Sequence, residues 1–202
     1  MGFFDQLPPA PEPQPEPPRP PRPPWMKPEA VLPGGVPQEF LLAHTPEAAV
    51  AVTGLLAFPS GLQCTLVAVL RHGRFGRAFD PTMQRELWRL REEPLPDEFL
   101  RFGVQFPDGR VATNLVGGGP FPTQLSVPAG PVLSPAGGSG SDRRYDMSFW
   151  IWPLPPAGQM TFVCQWPVFG IPESRATIDT QLILDAAGRA IDLWPDDDET
   201  PE

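Results

Sequence analysis

Between Tyr145 and Ile171 the chain reads YDMSFWIWPLPPAGQMTFVCQWPVFGI, and apolar residues recur at every second position. Tyr145, Met147, Phe149 and Ile151 fall on one face of the first run, with Asp146, Ser148, Trp150 and Trp152 on the other. Met160, Phe162, Cys164 and Trp166 repeat the pattern against Thr161, Val163 and Gln165. A period of two marks strands whose side chains alternate between the faces of a sheet. Pro155, Pro156 and Gly158 interrupt it, because proline cannot donate to a ladder and glycine tolerates turn geometry. The pattern predicts two facing strands, a β-hairpin at the centre of a mostly antiparallel domain.

Similar patterns run through the rest of the chain. AVAVTGLLAF, closing at Pro59, Ser60 and Gly61, and LQCTLVAVLR, ending at Arg71, predict a second and largely buried hairpin. Gly54 within it predicts a bulge or a close backbone approach. Leu100, Phe102, Val104 and Phe106 alternate with Arg101, Gly103 and Gln105 before a Pro107-Asp108-Gly109 turn and a returning RVATNLV, a third hairpin. Between these, Asp80 and Pro81 open a short helix with Met83, Leu87 and Leu90 on one face, ending before Pro94. Residues 117–142 carry seven glycines and read as a long loop with a short strand near Val132. Arg175 to Ile178 add a strand, Asp179 caps a helix from Thr180 to Ala187, and Gly188 ends it. Leu193 and Trp194 are expected to anchor the end of the domain.

Composition divides the chain into parts. Of its 32 prolines, 14 lie between Pro8 and Pro37, so this stretch reads as an extended polyproline arm. The expectation is a mostly β, antiparallel sandwich-like domain over residues 38–195, with one or two short helices. A disordered proline-rich N-terminal arm spans 1–37, and an acidic tail spans 196–202. Within the arm, Pro17, Pro20 and Arg22 match the PxxPxR spacing recognised by aromatic grooves, so the arm is either a semi-rigid spacer or a docking peptide.

Charge and cysteine usage narrow the partners. A formal net charge of -9 argues against nucleic acid, which calls for clustered Lys and Arg. The densest basic stretch, Arg71 to Arg91, is followed and interleaved by Glu86, Glu92 and Glu93, and reads as a solvated face. Cys64 and Cys164 lie in apolar strands and read as buried free thiols. The opening MGFFDQLPPAP lacks the basic and apolar regions of a secretory signal. No apolar run reaches about 18 residues, so no membrane span is predicted and a cytoplasmic setting follows by elimination.

Few motifs carry chemistry. Gly117 to Gly119 is not followed by Gly-Lys-Ser/Thr, and GxGxxG is absent, which removes nucleotide binding. Ser139 has Ser141 where a nucleophile elbow requires glycine. His44 and His72 stand in no metal-ligand spacing, so neither a metal nor a cofactor is called for. The remaining feature is aromatic. Trp150 and Trp152 face away from the Phe149 side of their strand, and form a binding patch unless the arm, a helix or another sheet covers them. Two readings of function follow: a non-enzymatic protein-interaction module using Trp150 and Trp152 or Pro17, Pro20 and Arg22, or a hydrolase or carbohydrate-active enzyme near the 117–142 loop. The second would draw on Asp142, Asp146 and His72.

The opening MGFFDQLPPAP, the proline-rich arm with Trp25 and the block SFWIWPLPPAG…TFVCQWPVFGI together resemble an uncharacterised protein family of high-GC bacteria. The resemblance spans nearly the whole chain and implies a bacterial cytosolic setting. It assigns no catalytic residue.

Overall fold

The computed structural model describes residues 22–75, 95–115 and 128–194. Pro17, Pro20, the helix read from Asp80 to Pro94, the glycine run at 117–119 and the acidic tail lie outside these residues.

Alternating strands build two antiparallel sheets with a shared core. The strands run in the order β1 (Val31–Leu32), β2 (Gly34–Gly35), β3 (Phe40–His44), β4 (Ala48–Phe58), β5 (Gly61–Leu70), β6 (Arg101–Gln105) and β7 (Val111–Thr113). They continue with β8 (Val132–Gly140), β9 (Arg144–Trp152), β10 (Gln159–Trp166), β11 (Ile171–Asp179) and β12 (Ile191–Asp192). One sheet has the order β2-β4-β5-β9-β8 with β3 also against β4, the other has β11-β10-β6-β7, and β1 pairs with β12 as a separate ribbon. Their inner faces meet where Phe102 of β6 touches Phe149 of β9 (ring centroids 5.1 Å) and Phe40 of β3 meets Phe162 of β10 (5.3 Å). Leu62, Cys64, Leu66 and Ala68 of β5 join Met160, Cys164 and Trp166 of β10 in the same buried cluster. The alternation read from the sequence is therefore the division between core and surface.

One expectation is corrected. The strands at 145–152 and 159–166 do not form a hairpin: β9 pairs with β5 and β8, and β10 pairs with β6 and β11. They lie in opposite sheets, and Phe149 and Phe162 belong to one core. The connector contains Pro153, Pro155 and Pro156, none of which can donate to a ladder, and it crosses between the sheets instead. Leu154 N–H ties it to the β4–β5 turn through Ser60 O (2.9 Å).

The other two hairpins form as read. β4 and β5 pair from Ala48↔Leu70 to Phe58↔Gly61, and β6 and β7 pair from Gly103↔Thr113 to Gln105↔Val111. Gly54 sits at a register shift with φ 56°, a backbone conformation that favours glycine. The extra residue changes the parity of β4: Ala48, Val50 and Val52 point inward before it, Leu55 and Ala57 after it. Without the bulge one half of this 11-residue strand would turn its apolar side to water.

Other boundaries move. Val132–Gly140, read mostly as loop, is the edge strand β8. Its glycines accommodate Tyr145 of β9, since a Cβ at Gly140 would stand 2.6 Å from Tyr145 Cδ2 and one at Gly138 3.1 Å from Cε1. The helix α1 spans Gln181–Ala187, one residue later than read, and Asp179 Oδ1 accepts the Gln181 N–H (2.9 Å). Thr180, fully buried, sits at the N-cap and donates its hydroxyl to Pro156 O (2.8 Å), fixing the helix start to the inter-sheet connector. Ile183 and Ala186 bury the inner face of α1.

Residues before position 38 carry structure of their own. Trp25 and Val36 are buried, and β1 and β2 lie within the stretch assigned to the arm. At the other end, Leu193 and Trp194 do not anchor the fold: they are 46% and 61% exposed.

Candidate functional site

The aromatic face read from β9 is closed by the chain's own arm. Trp150 points away from the main core, as its parity requires, yet it is buried. Phe58 meets it edge to face (5.5 Å, 81°), and its indole Nε1–H donates to Trp25 O (2.9 Å). Gly61, beside it on β5, leaves the space that the indole fills; a Cβ there would lie 2.6 Å from Trp150 Cζ2. The ammonium of Lys27 stands 5.3 Å from the centroid of the Phe58 ring and donates to Gln63 Oε1. Phe58 and Trp150 thus form a small aromatic pair outside the main core, covered by the Trp25 main chain. Of the two alternatives for this face, the structure shows cover at Trp150, which is buried beneath the 22–28 segment, while Trp152 is half-buried. Sequence reasoning missed Trp25 as part of this cover. The signal for it was a large apolar side chain in an otherwise proline and charged stretch.

Of the PxxPxR residues, Arg22 alone is described. It is paired with Glu29 seven residues on in the same segment, and both side chains are exposed.

The catalytic alternative finds its residues engaged elsewhere. Asp142 pairs with Arg74 (3.2 Å) and Asp146 with Arg144 (2.9 Å). His72 is exposed at the end of β5. No group of three or more His, Cys, Asp or Glu side chains that could hold a metal occurs among the described residues.

Cys64 and Cys164 are free and buried, one in each sheet. Burial pushes both thiols up to about 12 from 9.0. In the unfolded chain they ionise from about pH 9, so their contribution to stability is intact below that pH and is lost as pH climbs toward 12. The expected result is that Ellman's reagent at pH 8 finds no thiol in the native protein and both after denaturation. A thiol reacting within seconds in the native state would contradict this placement.

On its outward face the four-stranded sheet carries an open recess of about 320 Å³, lined in part by Arg101, Gly103, Gln105, Val163, Gln165 and Arg175. Arg101 donates to Gln165 Oε1 (2.7 Å) and Leu95 O (3.3 Å), and its buried Nε has no hydrogen-bond partner among the described residues. The recess offers a guanidinium and two amides to a polar group; Arg175 is held by Glu173 (2.7 Å).

Among the described residues the strongest exposed apolar feature is the terminal ribbon. Leu32 and Ile191 are directly opposed across it and are 53% and 56% exposed. Leu193 N–H extends the ribbon by donating to Ala30 O (2.8 Å), and Trp194 follows in the open. The described parts of both termini meet there. The sequence then changes at once to Pro195, Asp196, Asp197, Asp198 and Glu199.

No protein-family model, no curated protein and no solved structure matches this chain. Among the described residues no helix is long and apolar enough to cross a membrane.

Proposed function

We propose that this domain is a non-enzymatic protein-interaction module whose docking surface is the terminal ribbon. The observation that supports it is the cluster of Leu32, Ile191, Leu193 and Trp194, standing in water beside a domain with a filled core. Exposed apolar clusters of this kind mark contact sites, and tryptophan is over-represented among residues that dominate binding energy. The acidic run that follows Trp194 defines the partner's chemistry: an apolar pocket rimmed by Lys and Arg. The PxxPxR residues Pro17, Pro20 and Arg22 are proposed as a second contact for the same partner. Two free thiols favour a reducing, cytoplasmic compartment. The hydrolase or carbohydrate-active alternative is favoured by no comparable feature, since Asp142 and Asp146 are taken up by arginines.

The test is affinity capture from the native host with the full chain and its Leu193→Ser/Trp194→Ser variant. A partner held by the wild type should be lost by the variant. Thermal unfolding should stay within about 2–3 °C, because exposed substitutions of this kind change stability by about 0.5 kcal/mol or less each. Capture of the same partners by both proteins would overturn the reading.

A further inference from the structure

The contact that seals Trp150 has the form of a recognition event. In grooves that read proline-rich peptides, aromatic side chains receive an extended segment that brings little conformational entropy to lose. Here the receiving side is Phe58 and Trp150, with Gln63 at one end, and the segment is Pro23-Pro24-Trp25-Met26-Lys27-Pro28. The indole N–H of Trp150 donates to a main-chain carbonyl of that segment, which reads backbone shape rather than a side chain. Trp25 is the segment's buried side chain, and Lys27 adds a cation over the Phe58 ring. A Met26 N–H to Pro23 O bond (3.0 Å) holds the segment's bend.

The fit within one chain is incomplete. Trp25 Nε1 is buried and has no hydrogen-bond partner among the described residues. That unmet donor weakens the seat relative to a fully satisfied one. The groove and its occupant are also separable in sequence: Phe58, Gln63 and Trp150 belong to the six-stranded sheet, whereas residues 23–28 precede every described strand and meet β1 through Glu29 and Ala30. An element with those properties can be exchanged between identical chains through its hinge at low cost.

We propose that the Phe58–Trp150 groove is a receptor for a Pro-Pro-Trp segment, filled in this structure by the chain's own residues 23–28 and able to take the same segment from a second copy. The domain then links copies by exchange of arms, with a local concentration advantage that favours the closed single chain when the protein is dilute. This is independent of the terminal ribbon, whose substitution leaves the groove unchanged.

The experiment uses full-length chains. Trp25→Ala removes the segment's buried side chain and empties the groove; Trp150→Phe keeps a ring against Phe58 but deletes the N–H donor, which loosens the arm. Each variant alone should be monomeric by light scattering, and mixing should give a one-to-one complex in which the free arm of the second fills the open groove of the first. A synthetic peptide of residues 19–30 should bind Trp25→Ala at least tenfold more tightly than it binds wild type, where the site is occupied. The same peptide with alanine at the Trp25 position should not bind. If Trp25→Ala does not unfold cooperatively, Trp25→Leu takes its place and the same results are expected. No complex on mixing, with or without peptide uptake, overturns arm exchange. Failure of the peptide to bind a folded Trp25 variant overturns the receptor itself.

Discussion

Gly34→Ala should be among the most damaging single-methyl additions in this domain, and Gly35→Ala, one residue on, should be nearly silent. A Cβ at Gly34 would stand 1.9 Å from Ala186 O and 2.6 Å from Ala186 C. Those are main-chain atoms of α1, so no rotamer change relieves the contact. The carbonyl is also held in place from the other side, because it accepts the Arg189 N–H (3.0 Å). The helix would have to lift from β2, and lifting it opens Ile183 and Ala186, both fully buried. Overpacking costs about 1–3 kcal/mol when side chains can adjust, and more where the backbone must move, so a loss of about 3 kcal/mol or more is expected. At Gly35 no described atom lies within 4 Å of the added Cβ. Its backbone is not in the left-handed region, so alanine there should be neutral or gain up to about 0.5–1 kcal/mol by restricting the unfolded chain. Urea unfolding of the two variants decides the matter: equal midpoints would mean that α1 does not rest on Gly34.

That pair also shows where sequence reading stops. Alternation identified β9 and β10, and the burial of Met147, Phe149, Ile151, Met160, Phe162, Cys164 and Trp166 follows its parity. Parity tells which face a residue takes, but not which strand lies beside it. Two strands with matching apolar faces serve equally as neighbours in one sheet or as opposed layers of a core, and here they are opposed. Gly54 was legible because glycine weakens the interior of a long apolar strand and holds its place there through a bulge or a close backbone approach. β8 was not, because its Ala136–Gly140 half carries no apolar signal; it holds its place through main-chain pairing with β9, where Tyr145 lies along Gly138 and Gly140. Of the candidate site, the outward direction of Trp150 was legible. Cover by the arm was among the alternatives, but the Trp25 carbonyl as its point of contact was not legible, since Trp25 lies in a stretch whose proline content reads as unstructured. The ribbon was misread for a related reason: Leu193 and Trp194 look like core residues from hydrophobicity alone, and only the partner β1, some 160 positions earlier, fixes them at the surface.

Removing residues 1–21 and removing residues 1–37 should give two different proteins. The shorter deletion ends before Arg22 and leaves intact the Arg22–Glu29 pair, Trp25, β1 and β2. Its unfolding midpoint should match that of the full chain. The longer deletion takes away Trp25 and with it the acceptor for Trp150 Nε1–H, leaving a large indole and Phe58 open to water. It removes Val36, whose N–H pairs with Leu55 O (2.9 Å), and it removes β2, so that the Leu56–Ala57 end of β4 loses its partner on the side away from β5. It also strips the seat of α1 at Gly34 and the Arg189 Nη2 to Gly35 O bond (2.9 Å). Loss of a buried tryptophan alone costs about 3–5 kcal/mol. With the lost valine burial and strand pairing, the total approaches the whole stability of a typical domain, about 5–15 kcal/mol. The 38–202 chain should therefore be aggregated or lack a cooperative transition by circular dichroism, whereas 22–202 should unfold as one unit. If 38–202 instead unfolds cooperatively at the midpoint of the full chain, residues 22–37 are an appendage and the arm seated on Trp150 contributes nothing to the fold. A stable 22–202 beside an unfolded 38–202 would establish that the domain begins at its arm: a binding assay that deletes through residue 37 reports loss of structure, and recognition through Pro17 and Pro20 can be tested cleanly only by cutting before Arg22.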